Sequence, residues 1–418
     1  MNNKIKFNYG FLCLVSILLL TSTLSAKTIL VGKSRATTSI KEGIKMARHG
    51  DTILVDKGVY KEGSILVDKE IILKGIGQPI IDGEFKGTVL TVRSNYATVE
   101  GFKIINGGRS ETKDLAGILV HDSYGVTILN NILDNTNFGI LFQNVFNSTI
   151  KNNKITGENK LEAQSGNGIH CWRSDSLLII GNTITGHRDG LYFEFVRHSL
   201  IWRNISTKNI RYGIHFMFSH YDTYIGNVFE ENESGVAVMF TTNIHMYNNH
   251  FINNWGDAAY GILLKEISDS EISGNYFNQN TVGIVMDGCS RIKMEKNRFY
   301  NNGWALKISS SSDDNVITNN NFIGNTFDIS TNGSLVLNDF NGNYWDKYEG
   351  YDINKDKIGD VPYRPVSMYS MIIENNPAAL MLFRSLIVTL LDKSEKILPG
   401  ITPEQLKDDR PLMNKLAL

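Results

Sequence analysis

The strongest constraint on this chain is an asparagine that returns at Asn131, Asn153, Asn182, Asn204, Asn227, Asn249, Asn275, Asn297, Asn320 and Asn343. The steps are 22, 29, 22, 23, 22, 26, 22, 23 and 23 residues. A glycine column runs beside it at Gly117, Gly139, Gly168, Gly190, Gly213, Gly235, Gly261 and Gly283, and each glycine precedes an asparagine of the series by 14 residues. All length variation therefore falls between an asparagine and the next glycine. A fixed period of this size without helical heptads means a stacked solenoid. Within a repeat, Ile, Val, Phe and Tyr alternate with polar residues and are cut by Gly and Asn, which describes short strands joined by tight turns. About 22 residues suit a coil of three such strands, whereas the LxxLxL pattern of leucine-rich repeats is absent. Asparagine tolerates the left-handed backbone and can bond its counterparts above and below; glycine is expected at the other permissive corner. Ten turns make a rod about 45 Å long.

The expected fold class is thus an all-β solenoid, a right-handed parallel β-helix with an N-terminal capping helix and a short α-helical C-terminal extension. The expected organisation is a signal peptide at 1–26 and a β-helix at 27–345, less regular over 27–115 and regular over 116–345. An acidic and aromatic loop segment at 346–376 and a helical docking or capping extension at 377–418 follow. Ser39 to Arg48 reads as an amphipathic helix, ended by Gly50, that covers the first open turn, where bare strand edges would recruit other chains. Strands are expected at 52–55, 71–73, 80–82, 89–92 and 102–105.

Lys4 and Lys6 before an apolar run from Phe11 to Leu20, with small residues near Ala26, read as a cleavable secretory signal too short to span a bilayer. Cys13 lies inside that run, which argues against a lipid-anchored start. Removing Lys4 and Lys6 takes the formal net charge from −1 to −3, so nothing points to nucleic acid. Cys171 and Cys289 fall five turns apart, about 24 Å, beyond disulfide reach. Cys171 has the parity of a packed core thiol.

Strand side chains alternate, so the first and third residues after each glycine should point inward. These pairs are Ile169/Cys171, Leu191/Phe193, Ile214/Phe216, Val236/Val238, Ile262/Leu264 and Ile284/Met286. The second and fourth should point outward: His170/Trp172, Tyr192/Glu194, His215/Met217, Ala237/Met239, Leu263/Lys265 and Val285/Asp287. The middle turns thus present a stripe of His170, Trp172, Tyr192, Glu194, His215, Met217 and Met239. His215 and Met217 fall about 7 Å apart, and Met217 and Met239 about 5 Å apart on adjacent turns. Thioether and imidazole at that range suit Cu(I), so His215, Met217 and Met239 are candidates for transient copper contact. An apolar docking surface, or residues covered by a long loop, would produce the same stripe. The long excursions at 157–167 and 253–260 reach this strand from its upstream edge and could wall it. Catalysis is not expected. Glu194 and Asp287 lie about 19 Å apart, against the 5 to 9.5 Å of paired carboxylates in glycoside hydrolysis. Asp313 and Asp314 sit beside a turn, and His187, Arg188 and Asp189 read as a hydrogen-bonded corner.

After Asn343 the pattern changes. Asp352, Asn354, Asp356 and Asp360 have the one-three-five-nine spacing of a calcium loop, but Lys357 stands at its turn glycine and Tyr363 at its bidentate glutamate. An ordered acidic turn, not calcium, is the expected outcome. Pro377, capped by Asn376, opens an apolar helix over 378–391 whose single charge is Arg384. At about 14 residues it is too short to cross a bilayer and must bury itself against the rod's end, a partner or a membrane surface. Thr402, Pro403 and Gln405 read as the capped start of another helix.

The strings GHRDGLYFEFV (186–196), RYGIHFMFSH (211–220), GVAVMF (235–240), WGDAAYGILLKEISDS (255–270), NTVGIVMDG (280–288) and NGWALKI (302–308) resemble the NosD family. So do GNTFDISTNGSLVLNDF (324–340), GNYWDKYEGYD and the ending ITPEQLKDDRPLM (401–413). The resemblance spans essentially the whole mature chain, and HFMF, GDAAYGILLKEISDS and DDRPLM are its specific parts. It implies a periplasmic, non-enzymatic maturation factor of nitrous oxide reductase that works with an ABC transporter membrane subunit and its ATPase. Such a protein would receive copper from a metallochaperone and help assemble the reductase's copper–sulfide cluster, reaching the membrane through its partners. Lys357 departs from the family's usual glycine, which weakens calcium further. Two rivals stand beside this reading: a polysaccharide lyase or hydrolase, and a passive carbohydrate-binding or scaffold β-helix.

Overall fold

The period-two runs form the strands they predict, and stacking them gives parallel pairing from one end of the rod to the other. The computed structural model describes residues 26–158, 162, 165–333, 337–397, 402 and 406–418; the signal reading, apart from Ala26, lies outside them. Among these residues each coil contributes three short strands. The third strands of successive coils form a 13-stranded parallel sheet, and the first and second strands join in a 25-stranded one. The coil is right-handed, as expected. Coiling starts at Thr28–Val31, which pairs with Thr52–Val55, so the N-terminal coils share the common register although they lack the asparagine column. The lid helix is Ile40–Met46; the Ser39 side chain caps it by accepting from the Glu42 N–H, and Ile40 and Ile44 are buried.

The asparagine column is a buried ladder. From Asn131 to Asn343 each Nδ2 donates to the Oδ1 of the next asparagine at 2.9–3.1 Å. Each Oδ1 also accepts the backbone N–H of the preceding rung, as in Asn204 N to Asn227 Oδ1 at 2.9 Å. The ladder asparagines are not the left-handed residues. That conformation belongs to the residue before each one: Asn130, Asn152, Gly181, Arg203, Gly226, Asn248, Gly274, Lys296, Asn319 and Gly342, at φ 54–83°. The turn needs the left-handed step first, and the extended residue after it then aims its amide along the axis.

The glycine column also has a different cause from the one expected. None of its members has a left-handed φ. A Cβ on Gly213 would lie 2.6 Å from the Gly235 oxygen, and the same contact recurs through Gly261 and Gly283. Glycine is required here because two backbones and a row of large side chains meet. That row is Phe229, Phe251, Phe277, Phe299, Phe322 and Trp345, with centroids 4.1–5.3 Å apart. The expected inward pairs are all buried, and Cys171 and Cys289 are free, buried thiols.

At the C-terminus the expected continuous helix over 378–391 is broken into a 3-10 turn at Pro377–Leu382 and an α-helix at Leu386–Ile397, and a further α-helix at Met368–Asn375 precedes them. The chain breaks at Arg384, whose φ is 64°. Ala379 and Val388 both fill one cluster with Phe327, Tyr369 and Ile373. Nine residues apart, they would face opposite sides of a straight helix. The helix expected from Thr402 falls largely outside the described residues; from Leu406 the chain instead runs back along the last coil, with bridges Tyr363–Asp408 and Ile358–Leu412. Asp408 closes the ladder, accepting from Asn343 N–H at 2.9 Å, Gly342 N–H at 3.0 Å and Trp345 Nε1–H at 2.9 Å. No described helix is long and apolar enough to cross a membrane.

Candidate functional site

Strict register builds the outward stripe. His170, Tyr192, His215, Ala237, Leu263 and Val285 are successive partners in one column, and Trp172, Glu194, Met217, Met239, Lys265 and Asp287 in the next. Met217 and Met239 are therefore direct neighbours on adjacent turns, both half-buried. The Tyr192 hydroxyl stands 3.9 Å from the Met217 sulfur and 3.5 Å from Glu194 Oε2. Burial, then the Glu194 charge, pushes the Tyr192 hydroxyl up to about 12, so it stays a donor at neutral pH. Glu194 and Asp287 are separated by three intervening rungs of their column, so they cannot act as a pair.

Beneath the stripe, Asp189 of the expected corner joins Arg211, a residue that the sequence pattern did not single out. Asp189 is fully buried. Arg211, one coil later, grips it with Nε at 3.0 Å from Oδ1 and NH2 at 2.7 Å from Oδ2, a bidentate pair. Burial works to raise the Asp189 pKa, but His215 and Arg211 outweigh it and hold the carboxyl below its usual value. The corner reading of His187, Arg188 and Asp189 fits this arrangement. His215 is 7% exposed and sits under the stripe, not on it, packed between Tyr192 and Tyr212 at 5.1 and 4.9 Å. Arg211 NH2 lies 3.3 Å from His215 Nδ1. The same Nδ1 lies 3.8 Å from Asp189 Oδ2, and Nε2 is buried without a partner. This corrects the expectation of an exposed imidazole ligand: the donors left for a soft ion are the two thioethers. Among the described residues no three His, Cys, Asp or Glu side chains converge as a metal site.

The walls come from the excursions, as far as they are described. Tyr260 places its hydroxyl 3.4 Å from that of Tyr212, Glu162 reaches Arg211 at 3.4 Å, and Asn167 Nδ2 meets His170 Nδ1 at 3.3 Å. Burial, then Arg188, pushes His170 down to about 4, so it is neutral. Farther along the same face, Lys307 and Ser330 both bond Glu374 of the C-terminal helix Met368–Asn375 at 3.0 Å. The helical extension thus covers the last coils of this face, while its own Met381, Leu386, Ile387 and Leu390 are exposed.

The acidic segment folds onto its own backbone. Asp352 accepts from the N–H groups of Asp356 and Lys357 at 3.2 and 2.8 Å, Asn354 from Asp356 at 3.0 Å, Asp356 from Ile358 at 2.8 Å and Asp360 from Ile353 at 2.6 Å. Sequence reasoning also missed a second amide ladder: from Asn209 through Asn232, Asn254, Asn280 and Asn302, each N–H bonds the Oδ1 of the next, ending at Asn325, at 3.0–3.2 Å. Its members stand five residues after the first ladder throughout, a signal that a fixed-offset search would have found.

Residues 155–350 match the family model described as periplasmic copper-binding protein (NosD), and residues 34–172 match one described as right handed beta helix region. A protein of Pseudomonas aeruginosa named probable ABC transporter binding protein NosD is 28% identical, over 93% of this chain and 94% of that protein. One of the same name from Stutzerimonas stutzeri is 26% identical over 84% of each. Among solved structures, the catalytic unit of a thermostable α-1,3-glucanase from Streptomyces thermodiastaticus superposes with a TM-score of 0.61 at 12% identity, covering 74% of this chain and 66% of that one. At that identity the likeness concerns the fold alone.

Proposed function

We propose that this right-handed β-helix, which matches the NosD family model over residues 155–350, acts in the periplasm as a non-enzymatic copper-handling factor in maturation of nitrous oxide reductase. In this reading it works beside an ABC transporter membrane subunit and its ATPase, takes Cu(I) from a metallochaperone, and helps assemble the reductase's copper–sulfide cluster. The names of the relatives support the transporter association. The observation that carries the reading is the in-register pair Met217 and Met239, two thioethers on adjacent turns with a tyrosine donor 3.9 Å from one of them. Thioethers select Cu(I) over harder ions, and two of them give a weak site from which the ion can leave. Asp189 and Arg211 would hold the stripe rigid from below. The exposed Met381, Leu386, Ile387 and Leu390 would supply the contact through which the rod meets the transporter. Against a lyase or hydrolase stands the separation of Glu194 from Asp287.

The test has two arms. Cu(I) affinity, measured by chelator competition, should fall at least tenfold in Met217→Ala/Met239→Ala, and unchanged affinity would remove the site. Deletion of the protein should leave the reductase without its normal cluster spectrum; a normal spectrum would remove the role.

A further inference from the structure

One coil carries a tryptophan where closing the solenoid does not call for it. Trp255 opens the excursion that lengthens the step from Asn249 to Asn275 to 26 residues, and it is 62% exposed, against 37% for the next most exposed tryptophan, Trp202. It stacks on no ring and makes no side-chain hydrogen bond among the described residues. Its position is nevertheless fixed on both sides. Asn254 before it is a buried rung of the second ladder, bonded to Asn280 Oδ1 through its N–H at 3.2 Å and its Nδ2 at 2.9 Å. Gly256 after it is held by Thr281, whose Oγ1 accepts the Gly256 N–H at 3.0 Å and donates to the Gly256 carbonyl at 2.9 Å. The excursion thus presents an indole to solvent on a rigid base, ready for a ligand without further ordering.

Beside the indole runs a column of carboxamides. Asn253, Gln279 and Asn301 directly follow the third strands of successive coils, and with Trp255 they line a recess of about 370 Å³, a size typical of small-molecule sites. All three have left-handed backbones, but so do Gly186, Lys208, Glu231 and Gly324 at the same corner, so the turn itself distinguishes nothing. The side chains do. Elsewhere at this corner they bond one another: Lys208 pairs with Glu231 at 3.3 Å, and Asn135 Nδ2 donates to Asn106 at 3.1 Å. Here the Asn253 and Asn301 carboxamides bond no described residue, and Gln279 only accepts from Asn278 at 3.4 Å. None of the four lining residues is charged. An indole face suits an apolar ring face, and carboxamides both donate and accept, as hydroxyls do. A sugar ring offers both, with C–H groups on its face and hydroxyls around its rim. A wholly apolar side chain would strand the amides it covered. The phosphate of a nucleotide would meet acidic Asp257 in the excursion and Glu231 one step down the column. The carboxamides recur at about 5 Å intervals along the rod, which suits a linear chain over a single ring. We infer that Trp255, Asn253, Gln279 and Asn301 bind a neutral oligosaccharide, laid along the rod with one ring on the indole. The site follows the third strand, whereas Met217 and Met239 lie in the first, and it does not rest on the copper reading.

The experiment titrates the full chain separately with N-acetylchitohexaose, cellohexaose and maltohexaose, followed by calorimetry and tryptophan fluorescence. At least one should bind saturably and change the emission. Trp255→Ala should weaken that binding at least tenfold and abolish the emission change. Asn253→Gly/Asn301→Gly, which removes two amides without straining the left-handed turns, should weaken it at least threefold, and Trp202→Ala should do neither. Binding of none of the three sugars, equal binding of polygalacturonate, adenosine monophosphate or a leucine-rich peptide, or binding that survives Trp255→Ala would overturn the inference. Trp255→Ala should melt with the parent, and a lower melting temperature would mean that the indole serves folding instead. Met217→Ala/Met239→Ala should bind the sugar as the parent does whatever happens to its copper affinity, so failure of the metal site and failure of the saccharide site can be told apart.

Discussion

Replacing Asn227 by alanine tests whether the amide ladder or the apolar stack holds the coils together. Asn227 is fully buried and makes four ladder bonds. Its Nδ2 donates to the Ile201 carbonyl and to Asn249 Oδ1, both at 2.9 Å, and its Oδ1 accepts from Asn204 N–H at 2.9 Å and Asn204 Nδ2 at 3.1 Å. Alanine does not affect these partners equally. Asn204 Nδ2 keeps the Ile179 carbonyl, and Asn249 Oδ1 keeps the Asn227 backbone N–H. The group left bare is the Asn204 N–H, since the parallel register of Ile201 with Tyr224 gives the Ile201 carbonyl the Ile225 N–H as well. One buried unsatisfied backbone group costs about 1–3 kcal/mol, so the loss should be about 2 kcal/mol. The surface change Thr223→Ala should cost less than about 0.5 kcal/mol. Urea unfolding gives the difference, and hydrogen exchange should show the Asn204 amide opening far more often than in the parent. A cost below about 1 kcal/mol together with unchanged exchange at Asn204 would refute the reasoning and give the stability to the phenylalanine row.

Gly213→Ala, which pushes a methyl against the Gly235 oxygen and the Phe229 ring, should lower stability by about 3 kcal/mol, whereas Gly226→Asn, at φ 60° with only an ordinary contact to the Arg203 side chain, should stay within about 0.5 kcal/mol; thermal melts separate the two. Arg211→Met strands the buried Asp189 charge and should cost about 3–5 kcal/mol in urea unfolding, most of it recovered when Asp189→Asn is added. His187 is buried, and burial pushes it down to about 4, so between pH 6.5 and about 4 the unfolded chain takes up a proton that the folded chain refuses. Stability should therefore fall as pH drops through that window, by up to about 3 kcal/mol from this group, and His187→Gln should flatten that part of the profile.

The asparagine column and the inward parity were legible because period and alternation are properties of the chain itself. The reasons behind the columns were less so. Both Asn227 and the left-handed Gly226 lie at the turn, and only the backbone shows which of them carries the unusual φ. Gly213 was read as a flexible corner because a close approach between two backbones leaves no mark in one sequence. The pairing of Asp189 with Arg211 depends on exact coil length, since the two residues are neighbours only if one turn separates them. His215 has the parity of an exposed ligand, but Tyr192 from the preceding coil and Arg211 and Tyr212 from the start of its own strand enclose it. The C-terminal break at Arg384 was illegible for a similar reason, because Ala379 and Val388 are drawn to one cluster by Phe327, far away in the chain.

The amide ladder has a direction. Every rung hands its oxygen to the coil beneath it, so unfilled donors accumulate at one end only, where Asp408 meets Gly342, Asn343 and Trp345. The final dozen residues are in effect a stopper on a template that would otherwise keep accepting strands. Trimming them should not merely shorten the protein; it should bare the last coil's donors to a strand from another chain.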